Sequence, residues 1–127
     1  MKSEILNKIK KISESQKEEE ICGFIVEDKG KEHLVECENV SFHKKGNFEI
    51  SQKKFVEVFE QNKILIIYHS HPENTEQFSK EDINLSESLI LPIIVYSNQT
   101  EKFNIHIPKG VKRNKSLNRV EKSVVTY

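Results

Sequence analysis

The 127-residue sequence lacks several features that would narrow its class at once. It has no net charge: Lys+Arg and Asp+Glu both count 20. No global field therefore draws it to nucleic acid, to an anionic membrane or to a basic substrate. It has no long hydrophobic run; the longest, Ile64 to Ile67, falls far short of a membrane span. The N-terminal Met1-Lys2-Ser3-Glu4 passes into a charged helical pattern without the apolar stretch of a signal peptide. Cysteine is scarce, with two residues, which together with the missing export signal predicts a reducing, cytoplasmic setting. No Pro/Gly/Ser-rich linker, internal repeat or low-complexity tract marks a boundary, so residues 1–127 read as one domain. That length excludes a TIM-barrel metallohydrolase, which needs about 250 residues. Against 35% hydrophobic residues stand 31% charged ones, a lean core under a heavily solvated surface.

What is present is an alternation of helical and strand patterns. Ile5, Leu6, Ile9 and Ile12 recur at helical spacing within residues 3–17. Residues 21–28 and 31–38 flank Lys29-Gly30, the signature of a hairpin; a two-residue turn pairs positions that sum to 59 and sets Cys22 opposite Cys37 as two reduced thiols. A short strand is expected at Phe48 to Ile50. A helix opening at Ser51 would carry Phe55, Val58 and Phe59 on one face. Residues 63–68 are continuously apolar and β-branched, as in a strand buried on both faces. A helix over 79–90 with Ile83, Leu85, Leu89 and Ile90 as its apolar positions comes next, then strands at 93–97 and 102–107. The tail from Lys109 to Tyr127, with six basic residues and one acid, reads as a solvated segment. The order predicts an α+β or three-layer α/β domain on a mixed sheet.

The chemistry concentrates in His69-Ser70-His71-Pro72 and the following Ser79-Lys80-Glu81-Asp82. Histidines at i and i+2 of a strand end share a face, and Pro72 takes the chain out of the sheet. Asp82 falls in the first turn of the next helix. Two imidazoles, one carboxylate and an open fourth position form the donor set of a catalytic zinc. Ser79-x-x-Asp82 equally reads as a helix cap that needs no metal; a carboxylate there can cap and ligate through different oxygens. Cupins also use His-x-His with a following glutamate, here Glu76. Lys63 and Ile83 stand where that motif wants glycine, and the flanking helices do not suit a jelly roll. His33, His43 and His106 have no such company and carry no assigned role.

Together, His-x-His with ten residues to an aspartate resembles the JAMM (MPN-plus) metalloprotease signature. The segment Glu20-Ile21-Cys22-Gly23 resembles that family's upstream glutamate strand. The resemblance runs from about Glu20 to Pro108 and is nearest to the prokaryotic JAB proteins, which include ubiquitin-like deconjugating peptidases and phage tail-assembly proteins. It implies a cytidine-deaminase-like α+β fold, a curved mixed sheet between helices. It implies Zn2+ on His69, His71 and Asp82, Glu20 as general base, and Ser79 helping to hold the oxyanion. The implied activity is zinc-dependent peptidase or isopeptidase hydrolysis of a protein or peptide substrate, such as a ubiquitin-like protein or a phage tail component. No nucleic acid or membrane partner is implied. The alternative is a non-catalytic MPN scaffold that binds protein partners.

Overall fold

The computed structural model describes residues 3–127. Its elements run α1 (Glu4–Ser15), β1 (Cys22–Asp28), β2 (Lys31–Cys37), α2 (Gln52–Gln61), β3 (Lys63–His71), α3 (Lys80–Leu89), β4 (Ile93–Ser97), β5 (Phe103–His106) and α4 (Lys115–Thr126). The five strands form one mixed sheet in the order β2-β1-β3-β4-β5, with β3 and β4 parallel and the other neighbours antiparallel. The expected α+β class holds.

Local chemistry sets the pieces. Lys29 and Gly30 both take positive φ, 51° and 79°, as the tight turn of a two-residue hairpin demands. The resulting register places Cys22 opposite Cys37, both as free thiols. Burial lifts the thiol of Cys22 to about 12 and that of Cys37 to about 11, so neither is a ready nucleophile. Where β1 meets β3, the partner of Ile25 is Ile66 but that of Val26 is Ile64. Leu65 is thus the extra residue of a bulge, and Leu65 and Ile66 both reach the same core.

The sheet is covered on both faces. Ile5, Leu6 and Ile9 of α1 and Leu117, Val120 and Val124 of α4 pack with Ile25, Tyr68 and Tyr96 on one side. On the other, Val58 of α2 joins Phe24, Phe48 and Ile67, with Phe55 and Leu85 packed against them. Three expectations change here. The basic tail is not a solvated segment: Leu117, Val120 and Val124 fall at helical spacing and dock α4, capped at Asn114, while its lysines face water. Residues 48–50 form no strand, because Asn39 and Val40 take the hydrogen bonds of Glu49. Phe59, Leu89 and Ile90 are exposed rather than core residues. The buried positions of α3 are instead Asp82 and Ser86.

Parallel strands need a crossover, and α3 supplies it between β3 and β4. Its N-terminus must therefore lie at the C-terminal end of β3. Antiparallel pairing brings the start of β1 to the same end, with Cys22 opposite His69. Three segments distant in sequence converge there.

Candidate metal centre

β3 runs through His71 and ends before Pro72, so both histidines are strand residues, buried, on the face that carries Ile67. Each ring is fixed through Nδ1: that of His69 donates to the Ile94 carbonyl at 2.9 Å, that of His71 to the Thr75 carbonyl at 2.8 Å. Both Nε2 atoms are thereby left to face the site, the arrangement that prepares imidazoles for a metal. Phe48 stacks on His69 with ring centroids 4.7 Å apart.

Asp82 completes a tight triangle. Its Oδ2 lies 3.0 Å from His69 Nε2 and 3.2 Å from His71 Nε2, and the two nitrogens are 3.3 Å apart. A tetrahedral ion with bonds of about 2.0–2.1 Å holds its donors about 3.3 Å from one another, so the triangle fits such an ion. Asp82 also closes a capping box, its Oδ2 accepting from Ser79 N–H at 3.1 Å while Ser79 Oγ accepts from Asp82 N–H at 3.1 Å. One oxygen, not two, both caps the helix and faces the imidazoles, which corrects the expected division of labour. Burial alone would raise this carboxyl, but hydrogen bonds from the two histidines hold it far below the usual carboxylate range. For His71, burial opposes the charge, yet the Asp82 and Thr75 hydrogen bonds raise its pKa above the ordinary value.

Glu20 comes to this triangle through the ladder. Ile21 exchanges hydrogen bonds with Ser70, its N–H donating to Ser70 Oγ at 2.9 Å and its carbonyl accepting from Ser70 N–H at 3.1 Å. The register thus continues one residue beyond Cys22–His69 and sets Glu20 opposite His71. The chain enters the sheet here, and burial rises along the run: Glu18 is exposed, Glu19 half-buried and Glu20 only 4% exposed. Glu20, His69 and His71 offer ligand atoms within 4.8 Å of one another, a group that could hold a metal ion. Burial pushes the Glu20 pKa up to about 8, against the pull of His71 and with the push of Asp82. Glu20, His71, Ser79 and Asp82 line an open cleft of about 550 Å³ together with His43 and Asn47. His69 lies behind this lining, wholly buried, with its Nε2 against His71 and Asp82. The five residues singled out in the sequence are therefore together in space.

The family described as prokaryotic homologs of the JAB domain matches residues 2–107. The chain belongs to that family. No curated protein matches it. Among solved structures, the solution structure of a protein from Salinibacter ruber (strain DSM 13855) is similar, at 14% identity and a TM-score of 0.49, over 90% of this chain and 95% of that one.

The supports that this JAB domain uses were not foreseen from sequence. Asn39, 1% exposed, donates through Nδ2 to the carbonyls of Glu20, Lys44 and Asn47 at 2.9, 3.2 and 3.0 Å. Its Oδ1 accepts from Ser41 and Glu49 N–H at 3.0 and 3.2 Å. Glu20 N–H donates to the Lys44 carbonyl at 2.6 Å. On the opposite wall, Ser97 Oγ donates to the Asn74 carbonyl and Asn104 Nδ2 to that of Glu76, holding the loop whose Thr75 carbonyl orients His71. Asparagines and serines in loops carry no periodic signal, and only the folded chain shows what they bridge. Glu76, the residue a cupin would use, is turned away and accepts from Thr100 Oγ1 at 2.7 Å.

Proposed function

We propose that this JAB domain is a zinc-dependent peptidase or isopeptidase. The observation that carries the reading is the buried Glu20 carboxyl, set against two tautomer-fixed histidines and the aspartate that caps α3. His69, His71 and Asp82 would hold the metal. Zinc in such a site acts as a Lewis acid and lowers the pKa of water to about 7, making a nucleophile available at neutral pH.

The chain's own groups supply the proton chemistry. Glu20, buried in the cleft beside His71, is placed to act as general base: with a bound cation favouring its ionised form, it takes the proton of the attacking water and returns it to the leaving amine. Ser79 Oγ accepts from Asp82 N–H and keeps its own hydrogen to donate to the developing oxyanion. The leaving amine can belong to the backbone or to a lysine side chain, so peptide and isopeptide bonds are both accommodated. A polypeptide substrate of either kind, a ubiquitin-like conjugate or a phage tail component, belongs to this reading. A binding-only scaffold has no need to bury four titratable groups at one point, and no position of the JAMM pattern has been lost here.

The test is zinc content and chelator-sensitive cleavage across four proteins. Wild type should hold about one zinc, and His69→Ala/His71→Ala none. Glu20→Gln should keep zinc and lose turnover by about 10²–10⁴-fold. Glu19→Gln, altered one position away, should cleave as wild type does. Equal, near-zero zinc in wild type and the double variant would leave Asp82 as a helix cap and remove the peptidase reading.

A further inference from the structure

His43 and Gly46 of the turn 42–46 line the cleft beside Glu20, and next to them the turn carries a side chain that the fold does not use. Phe42 is 101% exposed and Val40 40% exposed, in a domain whose core is short of apolar residues. A large aromatic ring left wholly in water contributes nothing to folding. The turn beneath it is nevertheless held firmly. Asn39 and the Glu20 N–H both bind the Lys44 carbonyl; His43 N–H donates to Ser41 Oγ at 3.1 Å; the His43 carbonyl accepts from Gly46 and Asn47 N–H at 3.1 and 2.8 Å. Lys45 Nζ reaches Glu73 Oε1 on the opposite wall at 3.0 Å. His43, next to Phe42 and about 3.8 Å from it between Cα atoms, lines the cleft itself.

We infer that this turn is a substrate-recognition lip, with Phe42 as the anchor for an apolar side chain of the polypeptide that lies in the cleft and His43 as the polar contact beside it. The inference rests on the peptidase reading and names its substrate class: an extended chain with a Leu, Ile, Val or Phe at one fixed position near the scissile bond. Pre-ordering is what makes an exposed ring useful in binding, since little conformational freedom is lost on contact. Aromatic side chains on rigid backbone are the usual anchors of such contacts. The side chains lining the cleft are polar apart from Phe78, so Phe42 would add an apolar contact at its edge.

The experiment uses zinc-loaded full-length protein and a mixture-based library of fluorogenic peptides. Wild type should cleave in a chelator-sensitive manner with about tenfold enrichment of apolar residues at one position. Phe42→Ala should flatten that position at unchanged thermal stability, while Phe59→Ala, exposed on α2, should leave the profile intact. A second arm measures retention of the same library by zinc-loaded Glu20→Gln, with and without Phe42→Ala. Retention that depends on Phe42 without wild-type cleavage would keep the lip and remove the peptidase reading. Cleavage with an apolar preference unaltered by Phe42→Ala, or with no apolar preference at all, would overturn the lip and leave the peptidase standing. Neither cleavage nor retention of any peptide would overturn both.

Discussion

Replacing Glu20 by glutamine should stabilise the metal-free protein, and by an amount that depends on pH. In the unfolded chain this carboxyl titrates near 4.5; in the fold its pKa is pushed up to about 8. Below pH 4.5 both states hold the proton and the group contributes nothing. Between 4.5 and 8 the unfolded chain releases the proton while the folded one keeps it, so stability falls as pH rises; above 8 the whole cost is present. A gap of about 3.5 units at about 1.4 kcal/mol each sets a ceiling near 5 kcal/mol, and a cleft open to water brings the expected value to about 2–3 kcal/mol. The other titrating groups do not imitate this. His71, with its pKa raised above 6.5 mainly by the Asp82 and Thr75 hydrogen bonds and further by Glu20, contributes stability that is lost as pH climbs through its folded value. Glu20→Gln removes only the last of these causes, which trims the difference without reversing it. Asp82, held below 3.8, contributes stability that is lost only in acid beneath that value. Urea unfolding in chelator at pH 5, 6.5 and 8 should show Glu20→Gln nearly equal to wild type at pH 5 and ahead by about 2–3 kcal/mol at pH 8. A neighbouring dication favours the ionised carboxylate, so added zinc should shrink the difference. A gap that does not change between pH 5 and pH 8, or a wild type that is the more stable at pH 8, would refute the argument that Glu20 is buried at a cost.

Gly23→Ala should cost about 3 kcal/mol or more, because a Cβ there would collide with the Val35 carbonyl oxygen and lie 2.6 Å from the Tyr68 ring; the melting temperature is the measure. Ile90 caps α3 in the left-handed region, φ 53° and ψ 45°, with its side chain half in water. Ile90→Gly should therefore raise stability by about 1 kcal/mol, or about 3–5 °C in Tm. Val120→Asp should cost about 3 kcal/mol or more while Val125→Asp, on the 77% exposed side of α4, should be neutral; equal effects would mean that α4 does not dock as described.

The parts that were legible in the sequence are those decided by neighbours in the chain. Lys29-Gly30 specified a hairpin and, through it, the pairing of Cys22 with Cys37. Period-two alternation put His69 and His71 on one face, and Pro72 ended the strand. Ser79 announced the helix that carries Asp82. The misreadings share a different cause. Lys109 to Tyr127 looked solvated because its charge was counted over the whole segment, whereas Leu117, Val120 and Val124 had the spacing of a docked helix. Phe59 and Leu89 looked like core because each completes an apolar pattern, yet Phe59 only stacks on the outer side of Phe55 and Leu89 stands at the rim of an open cleft beside Phe24 and Ile67.

Glu20 shows where local reasoning stops and why the site has to be assembled. In sequence it ends a run of three glutamates, the pattern of a solvated helix terminus, and only the resemblance to a known strand distinguished it. Its burial depends on the pairing of β1 with β3, whose partners lie 49 residues apart at Ile21 and Ser70. No periodicity reports such a pairing. Yet that pairing decides which of the three glutamates meets His71: a shift of one residue would turn Glu20 to the opposite face and bring a neighbour in its place. The bulge at Leu65 and the Asn39 bonds to Glu20, Lys44 and Asn47 hold the register from either side. The chemistry of the cleft therefore depends less on the acidity of any one residue than on a ladder that admits a single carboxylate.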